Sequence, residues 1–397
     1  MERLYLINIL MIIDKKNIYV WCPFISKVGT IQNVINTCHG LLKFPKSKSF
    51  NTSIINVFGE WDDYFTEIRL KKIEKKNLNS TPFIKHWKKE GFLKSRFCYI
   101  LIFIFSFIPL LLLLRKKKPD YLIIHLITSL PIILFSIFNF KTKLILHIAG
   151  HPKMTFFRKC IWKIASSKIT NVICPSNELK KSLLQKNIFD ENKITVIQDP
   201  HLLVKEINNL KKEKIIDDFF DDSKILISIG RLTKQKNYFF LINNFNKLIS
   251  KYKNVKLLII GSGEMKNKLI KLINKLDIQN KVKLIDHEKN IYKYLIKSNY
   301  YISTSIWEGS SLAMIDAAHL GIPILCSNCP TGRKEFICED KRGFLYNEGS
   351  EIDFLNKFTE MYEMESKYIF KKMFHAKNES KNFTVFRNNL KLEKILF

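Results

Sequence analysis

The sequence predicts an α/β fold with two doubly wound parallel-sheet domains. Short apolar runs rich in β-branched residues alternate with amphipathic stretches along the chain, as in parallel strands joined by helices. The 397 residues are 46% hydrophobic, which is enough for two separate cores. A charged segment, residues 205–222, has the polarity of a linker. We therefore expect domains at 1–205 and 223–353, followed by a helical segment at 354–397.

The strands of each domain are predicted from apolar, β-branched runs. In the first half of the chain these runs are IYVWCPF, SIINVFG, YLIIH, KLILHIAG, NVICPS and KITVIQD. In the second half they are KILISIG, VKLLIIG, KVKLI, YYISTS and IPILCS. Parallel sheets bind ligands beyond the carboxyl ends of their strands. We therefore expect the functional site in a cleft between the facing strand ends of the two domains.

The chain is strongly basic, with 66 Lys and Arg residues against 36 Asp and Glu and a formal net charge of +30. This balance suits anionic partners such as nucleotide sugars or anionic lipid surfaces. Nucleic acid is disfavoured as a partner because no recognition motif accompanies the charge. The eight cysteines are scattered, and the N-terminus has the pattern of a strand rather than a cleaved signal peptide. A reducing cytoplasm is the expected location.

The segment 97–114 contains no charged residue and is followed at once by the basic run 115–118. Its length and its flank permit a membrane span. However, Pro109 interrupts the run, and a span would separate the two halves of the first domain. Three interpretations remain open: a buried helix, a helix with one face in the membrane interface, and a span. The interfacial form would place the protein on the inner face of the cytoplasmic membrane.

The most informative stretch is SIWEGSSLAMIDAAHLGIPILCS. Glu308 follows a strand-like run, and Asp316 lies two helical turns further on, close to the same face of the predicted helix. Between them, Gly309, Ser310 and Ser311 place backbone N–H groups at a helix N-terminus, which favours an anion. The pattern predicts a phosphate site flanked by two carboxylates that can accept hydrogen bonds from hydroxyl groups.

Two further motifs flank this stretch, GRLTKQKN at 230–237 and SNCPTG at 327–332. In this order and at this spacing, the three motifs resemble the pattern of the retaining glycosyltransferases of family 4, which have the two-domain GT-B fold. The resemblance covers roughly the C-terminal half of the chain. The chain departs from the pattern in having Asp316 for a usual Glu, Asn328 for a usual Asp, and Arg333 where Pro is common.

The resemblance implies a role for each of these residues. Arg231 and Lys236 would clamp the donor diphosphate, whose negative charge grows as it leaves. Glu308 would lie against the donor sugar, and these three are the expected catalytic residues. Asp316 would accept hydrogen bonds from the ribose hydroxyls. The other expected donor-binding residues are Gly309, Ser310, Ser311, Leu312, Gly261 and, from a shortened glycine-rich loop in the first domain, Gly29 and Thr30.

His147 and His151 follow a strand in LHIAGHPK, where the family places acceptor or sugar contacts. Gly150 and Pro152 break any helix there, so a zinc-binding pair of histidines is disfavoured. The sequence has no D-x-D triplet, so we expect a reaction without a metal or another cofactor. Cationic side chains would stabilise the diphosphate charge in place of a metal ion. In GT-B proteins the C-terminal helix crosses back to the first domain, which is the role expected of 354–397.

These features predict a metal-independent, retaining glycosyltransferase. It would move a hexose or an N-acetylhexosamine from a nucleotide sugar, UDP-linked by expectation, to a cell-surface glycan or lipid-linked acceptor in capsule, lipopolysaccharide or oligosaccharide synthesis. Two other interpretations stay open. One is a GT-B sugar-nucleotide epimerase, which would need acid and base carboxylates around the bound sugar. The other is a non-enzymatic basic protein that binds membranes or nucleic acid.

Overall fold

The computed structural model of the protein describes residues 15–26, 28–45, 49–78, 92–150, 152, 154–308, 311–330 and 332–397. The chain forms two compact units. The first extends to His201 and also includes Val385–Phe397, and the second is Leu202–Thr384. This division differs from the predicted one. The predicted linker, 205–222, lies inside the second unit, and only the last helix of 354–397 belongs to the first unit.

The first unit contains, within its described residues, a seven-stranded sheet in the order β3-β2-β1-β4-β5-β6-β7, with all pairs parallel. The strands are β1 (Lys16–Trp21), β2 (Phe50–Asn56), β3 (Glu74–Asn77), β4 (Tyr121–Ile124), β5 (Lys143–His147), β6 (Ile169–Cys174) and β7 (Ile194–Val196). The α-helices are α1 (Gly29–Lys43), α2 (Phe65–Leu70), α3 (Phe92–Lys117), α4 (Ser129–Ile137), α5 (Phe156–Ala165) and α6 (Asn177–Leu184).

The central strands of this sheet are buried on both faces, which explains their continuous apolar sequences. Alternate side chains of a strand enter different cores. Val20 and Ile123 lie in the core that contains the inner face of α1. Trp21 and Ile124 lie in the opposite core, which contains the inner faces of α3, α4, α5 and α6. The sheet is therefore covered by helices on both sides, as in doubly wound folds.

The second unit contains, in the part that the structure describes, a six-stranded parallel sheet in the order β10-β9-β8-β11-β12-β13. The strands are β8 (Lys224–Ile229), β9 (Val255–Ile260), β10 (Val282–Ile285), β11 (Tyr300–Ser303), β12 (Ile324–Asn328) and β13 (Phe344–Asn347). The α-helices are α7 (Val204–Leu210), α8 (Tyr238–Lys251), α9 (Lys266–Lys275), α10 (Tyr292–Leu295), α11 (Leu312–Leu320), α12 (Arg333–Ile337), α13 (Glu351–Glu363) and α14 (Ser366–Ser380).

The last helix, α15 (Val385–Leu396), packs against α1 and completes the first unit. Leu392 and Leu396 are buried in the core on the α1 side of the sheet. Gly40 of α1 allows the two helices to approach closely, because a Cβ at this position would lie 3.0 Å from a methyl group of Val385. Lys16 donates a hydrogen bond from Nζ to the carbonyl oxygen of Leu396 at 2.9 Å.

The long uncharged run of the sequence forms α3, and Pro109 does not end the helix. Residues 96–117 are long and apolar enough to cross a membrane by length and composition, and their most apolar 18-residue window has a mean hydropathy of 2.8. However, Cys98, Ile102 and Leu110 are buried in the core beneath the sheet. Because α3 connects β3 to β4 within one sheet and packs one face against it, lipid cannot surround this helix in the folded unit. A third of the apolar window is buried.

Candidate active site

The predicted catalytic residues meet at the point where the strand order of the second sheet reverses. β8 and β11 are neighbours, and the chain leaves them in opposite directions across the sheet. Arg231 and Lys236 follow β8, and Glu308 follows β11. Such switch points open a crevice at the carboxyl ends of the strands, where α/β sheets bind ligands.

Lys236 forms an ion pair with Glu308, from Nζ to Oε1. The segment that carries Lys236 is a single 3-10 turn (Lys234–Lys236), and Thr304 at the end of β11 holds it by donating to the carbonyl of Lys236 at 3.0 Å. The lysine side chain crosses the backbone of Gly230, where a Cβ would lie 2.8 Å from its Cε. A glycine at 230 therefore lets Lys236 reach Glu308.

Arg333 approaches Glu308 from the protein interior. Its side chain is fully buried, and Nη2 lies 3.4 Å from Oε1 of Glu308. The guanidinium also donates to the hydroxyl groups of Ser303, at 2.6 Å, and Ser327, at 2.8 Å. Ser305 adds a hydroxyl donor to the same carboxylate oxygen at 2.7 Å. Oε1 of Glu308 thus accepts from a lysine, an arginine and a serine.

These contacts determine the charge of Glu308, which is only 7% exposed at its side chain. Burial raises the pKa of this carboxyl, but Lys236 and then Arg333 outweigh burial and hold the pKa below its ordinary value. Glu308 is therefore ionised at neutral pH. Burying a carboxylate and two cations costs desolvation free energy. Buried charged groups of this kind are typical of functional sites.

Arg231 lies at the exposed side of the same site. Its Nη2 donates to Oε1 of Gln235 at 3.2 Å, and Gln235 in turn donates to the carbonyl of Trp307 at 2.7 Å. Trp307 immediately precedes Glu308. The guanidinium is thus oriented by a neighbour and is accessible to an anion from solvent, which fits the phosphate-binding role implied by the resemblance.

Gly261 lies where the loops after β8 and β9 touch backbone to backbone. A Cβ at Gly261 would lie 1.9 Å from the carbonyl oxygen of Gly230. The two loops are joined by a hydrogen bond from the N–H of Leu232 to the carbonyl of Ser262 at 2.9 Å. Gly261 therefore fixes the position of the Arg231 loop.

Asp316 is in the middle of α11 and is 1% exposed. The hydroxyl of Tyr292 donates to its Oδ1 at 2.9 Å. Burial and the carboxylate of Asp316 both raise the pKa of Tyr292. The short Asp side chain is thus covered by a tyrosine, and its implied contact with a ribose stays a prediction.

The other predicted donor-binding residues lie in two places. Leu312 begins α11 and Ser311 directly precedes it, and the hydroxyl of Ser311 accepts from Arg333 at 3.3 Å. Gly29 and Thr30 begin α1, where Val28 supplies no side-chain cap. Gly309 and Ser310 lie outside the described residues, as does His151.

His147 ends β5 and lies against His125, which follows β4, with ring centroids 4.4 Å apart and the rings tilted by 34°. Nε2 of His147 lies 3.8 Å from Oδ1 of Asp199. Burial lowers the pKa of both imidazoles, and Asp199 opposes part of this effect at His147. Both rings are therefore neutral at pH 7. They form a buried polar group at the carboxyl edge of the first sheet.

Sequence analysis missed Arg333 as a partner of Glu308 and missed His125, Asp199 and Tyr292. The serines at the ends of two neighbouring strands, in YYISTS and LCSN, could have indicated Arg333. Buried hydroxyl groups require hydrogen-bond partners, and a nearby arginine can supply donors. Among the described residues, no group of three or more His, Cys, Asp and Glu side chains could hold a metal ion.

The fold and this site define an α/β protein with two doubly wound parallel sheets, and comparison with known proteins shows which family it resembles. Residues 210–393 match the family described as glycosyl transferases group 1. Through this segment, which runs from the end of α7 into α15, the chain is similar to that family. The match confirms the predicted likeness to glycosyltransferases over this part of the chain.

Two curated relatives are similar over the same part of the chain. An uncharacterized glycosyltransferase of Methanocaldococcus jannaschii is 34% identical over 248 residues, which are 58% of this chain and 61% of the relative. The N-acetylgalactosamine-N,N'-diacetylbacillosaminyl-diphospho-undecaprenol 4-alpha-N-acetylgalactosaminyltransferase of Campylobacter jejuni is 24% identical over 234 residues, 57% of this chain and 62% of the relative. The matched regions thus span about three fifths of these relatives.

Among solved structures, the Anabaena protein Alr3699/HepE, crystallised with UDP and glucose, has a TM-score of 0.69 and 14% sequence identity. The similarity covers 96% of this chain and 98% of that protein. The likeness extends to both units and confirms the predicted GT-B fold.

Proposed function

We propose that this protein is a retaining, metal-independent glycosyltransferase that moves a hexose or N-acetylhexosamine from a UDP-sugar to a lipid-linked or cell-surface glycan. The observation that carries the proposal is the ionised Glu308, held between Lys236 and Arg333 at the switch point of the second sheet. The UDP and glucose bound by the Anabaena protein support the donor class. The diphospho-undecaprenol in the name of the Campylobacter relative supports a lipid-linked acceptor.

The chemistry follows from where charge develops. As the bond between the sugar and the diphosphate breaks, negative charge grows on the leaving phosphate, and Arg231 and Lys236 would stabilise it. The ammonium of Lys236 has three donors, so it can bind a phosphate oxygen while it keeps its contact with Glu308. Glu308 would lie beside the anomeric carbon. The oxygen of the acceptor hydroxyl would form the new bond to that carbon on the face that the diphosphate leaves, and the leaving phosphate would take the hydroxyl proton.

The donor is tested by thermal unfolding of the protein with a panel of nucleotide sugars. A ligand at a hundred times its dissociation constant should stabilise the folded state by about 2.7 kcal/mol. Stabilisation by a UDP-sugar and its absence with other nucleotide sugars would support the proposal. Absence of stabilisation with every nucleotide sugar would contradict it.

Glu308→Gln tests the catalytic assignment. We expect kcat to fall by on the order of a hundredfold with little change in UDP affinity, because the contacts of Glu308 matter most as the bond breaks. Glu360→Gln, on the exposed side of α13, is the matched control and should behave as wild type. Near-normal turnover of Glu308→Gln would remove Glu308 from the mechanism.

Transfer activity should persist in EDTA. Loss of transfer activity in EDTA, with rescue by Mn²⁺, would overturn metal independence.

A further inference from the structure

One face of α3 is apolar and exposed over most of its length. Phe97, Ile100, Ile104, Ile108 and Leu112 recur every three or four residues, so they lie on one side of the helix. Each is between 47% and 59% exposed. The stripe they form is roughly 22 Å long. Contiguous apolar surface of this kind is uncommon on a soluble monomer and marks an interaction site.

A second exposed apolar group lies nearby on the same layer of helices. α4 packs between α3 and α5. Phe156 and Phe157 at the start of α5 are 86% and 71% exposed, and Ile164 near its end is 67% exposed. Ile137 at the end of α4 is exposed as well. We call these four residues and the stripe of α3 the α3–α5 surface.

The segment that carries the α3–α5 surface is almost entirely basic in its charged residues. Residues 92–176 contain thirteen Lys and Arg and only one acidic residue, Asp120. This asymmetry is far greater than that of the whole chain, in which 66 basic residues stand against 36 acidic ones. The basic run 115–118 is exposed at the end of α3, and Lys159 and Lys163 are exposed on α5. The partner must therefore be both anionic and able to take up apolar side chains.

We propose that the α3–α5 surface docks the first unit onto an anionic lipid leaflet, the inner face of the cytoplasmic membrane. Ile and Phe side chains insert among the acyl chains, and Lys and Arg lie against the phosphates. A second copy of the chain is a poorer partner, because it would bring two surfaces of like charge together. A nucleic acid would match the charge but would leave the aliphatic stripe exposed to water.

Docking in this way also orients the first sheet. Crossover helices of a parallel sheet begin at the carboxyl edge of its strands. Phe97 near the start of α3 and Phe156 at the start of α5 therefore lie toward the edge where His125 and His147 are found. A lipid-linked acceptor would reach the protein at this edge. That last step rests on the proposed function, whereas docking itself does not.

The test is binding of the full chain to vesicles of phosphatidylcholine with and without phosphatidylglycerol, measured by co-sedimentation. We expect salt-sensitive binding to the anionic vesicles alone. Reversal of 115–118 to Glu should weaken it by at least about tenfold. The double variant Ile104→Gln and Ile108→Gln should weaken it by a similar factor. The tryptophan of the variant Phe157→Trp should be quenched by lipids with brominated acyl chains.

Matched variants on the second unit control for the loss of an exposed apolar side chain and of net positive charge elsewhere on the protein. Ile352→Gln alters an isoleucine on α13 that is more exposed than Ile104 or Ile108, and the tryptophan of Ile352→Trp should escape quenching. Reversal of four exposed lysines controls for net charge: Lys253, Lys268, Lys271 and Lys275. Both controls should bind as wild type.

Three outcomes would overturn the proposal. The first is equal binding to neutral vesicles, and the second is unchanged binding of the α3 and 115–118 variants. The third is a dimer in sedimentation equilibrium that Ile104→Gln and Ile108→Gln convert to a monomer. Vesicle binding requires no nucleotide sugar, so its failure is distinguishable from failure of the proposed transfer reaction.

Discussion

The guanidinium of Arg333 is fully buried beside Glu308, and its charge should help to set the pKa of that carboxyl. We predict that Arg333→Met raises the pKa of Glu308, because one of its two cations is removed. If ionised Glu308 is required, the acidic limb of the kcat/KM profile should move to higher pH. Arg333→Lys keeps the charge and should shift the limb less. Carbon-13 NMR titration of the carboxyl measures the same change without substrate.

The lowered pKa of Glu308 also makes the stability of the folded protein depend on pH. Since the pKa of Glu308 is lowered in the folded protein, its stabilising contribution is present above the unfolded pKa and is lost as pH falls through the folded pKa. Removing one partner of a buried ion pair costs about 3–5 kcal/mol, so folding of Arg333→Met is checked by circular dichroism. Arg342→Met, which breaks a partly exposed pair with Glu379, is the control and should leave the acidic limb in place. An unmoved limb in a folded Arg333→Met would refute the role of Arg333.

The sequence alone placed Glu308, Arg231 and Lys236 in one predicted site, because each belongs to a short motif whose spacing is visible along the chain. The structure brings Lys236 to Glu308, and the catalytic roles of the three residues stay predictions. It was not enough for Arg333, whose hydrogen bond to Ser303 joins residues 30 positions apart. That contact depends on the pairing of β11 with β12, which is a property of the folded sheet. His125 was missed for the same reason, since β4 and β5 bring it to His147.

At the scale of elements, hydrophobic runs predicted the central strands and the edge strands β7 and β10, but they missed the edge strands β3 and β13. β3 has the sequence EKKN and lies at the edge of the first sheet, so it has no apolar signal to detect. β13 is only four residues long and ends the second sheet. The predicted linker failed because α7 is short and mostly polar, although it buries Ile207 in the core of the second unit. Polarity alone does not distinguish a small surface helix from a linker.

The backbone contact between the loops after β8 and β9 requires a glycine at position 261. Gly261→Ala would put a Cβ 1.9 Å from the carbonyl oxygen of Gly230, so the backbone must move. We expect a loss of about 1–3 kcal/mol in the free energy of unfolding, together with loss of transfer activity. Gly349→Ala is the control, because its φ of +77° carries backbone strain with no atom within 4 Å. It should cost about 1–2 kcal/mol and leave activity unchanged.

Chemical denaturation and activity assays distinguish the two glycine variants. An active Gly261→Ala protein with wild-type stability would show that the two loops can separate without consequence. Gly230→Ala adds a second comparison, since its Cβ would meet the flexible side chain of Lys236 at 2.8 Å rather than backbone. We expect it to reduce activity more than stability.

At the scale of the whole molecule, the chain leaves the first unit after His201 and returns to it at Val385. The first unit is therefore completed by the last residues of the chain, although 183 residues of the second unit intervene. Lys16 and Tyr121 both donate to the carbonyl of Leu396, which connects α15 to β1 and β4. Folding of the first unit should consequently depend on α15.

Leu396→Ala tests this dependence at one side chain. Leu396 is fully buried in the α1 core, so its truncation should destabilise the first unit by about 2–5 kcal/mol. Intrinsic tryptophan fluorescence reports mainly on this unit, because four of the five tryptophans precede His201. The midpoint of the fluorescence transition in urea should fall, while stabilisation by a UDP-sugar at the second unit persists. Lys394→Ala, on the exposed side of α15, should leave the midpoint unchanged. A wild-type midpoint for Leu396→Ala would mean that α15 contributes nothing to the stability of the first unit. If the variant lost only its stabilisation by a UDP-sugar, α15 would belong to the second unit instead.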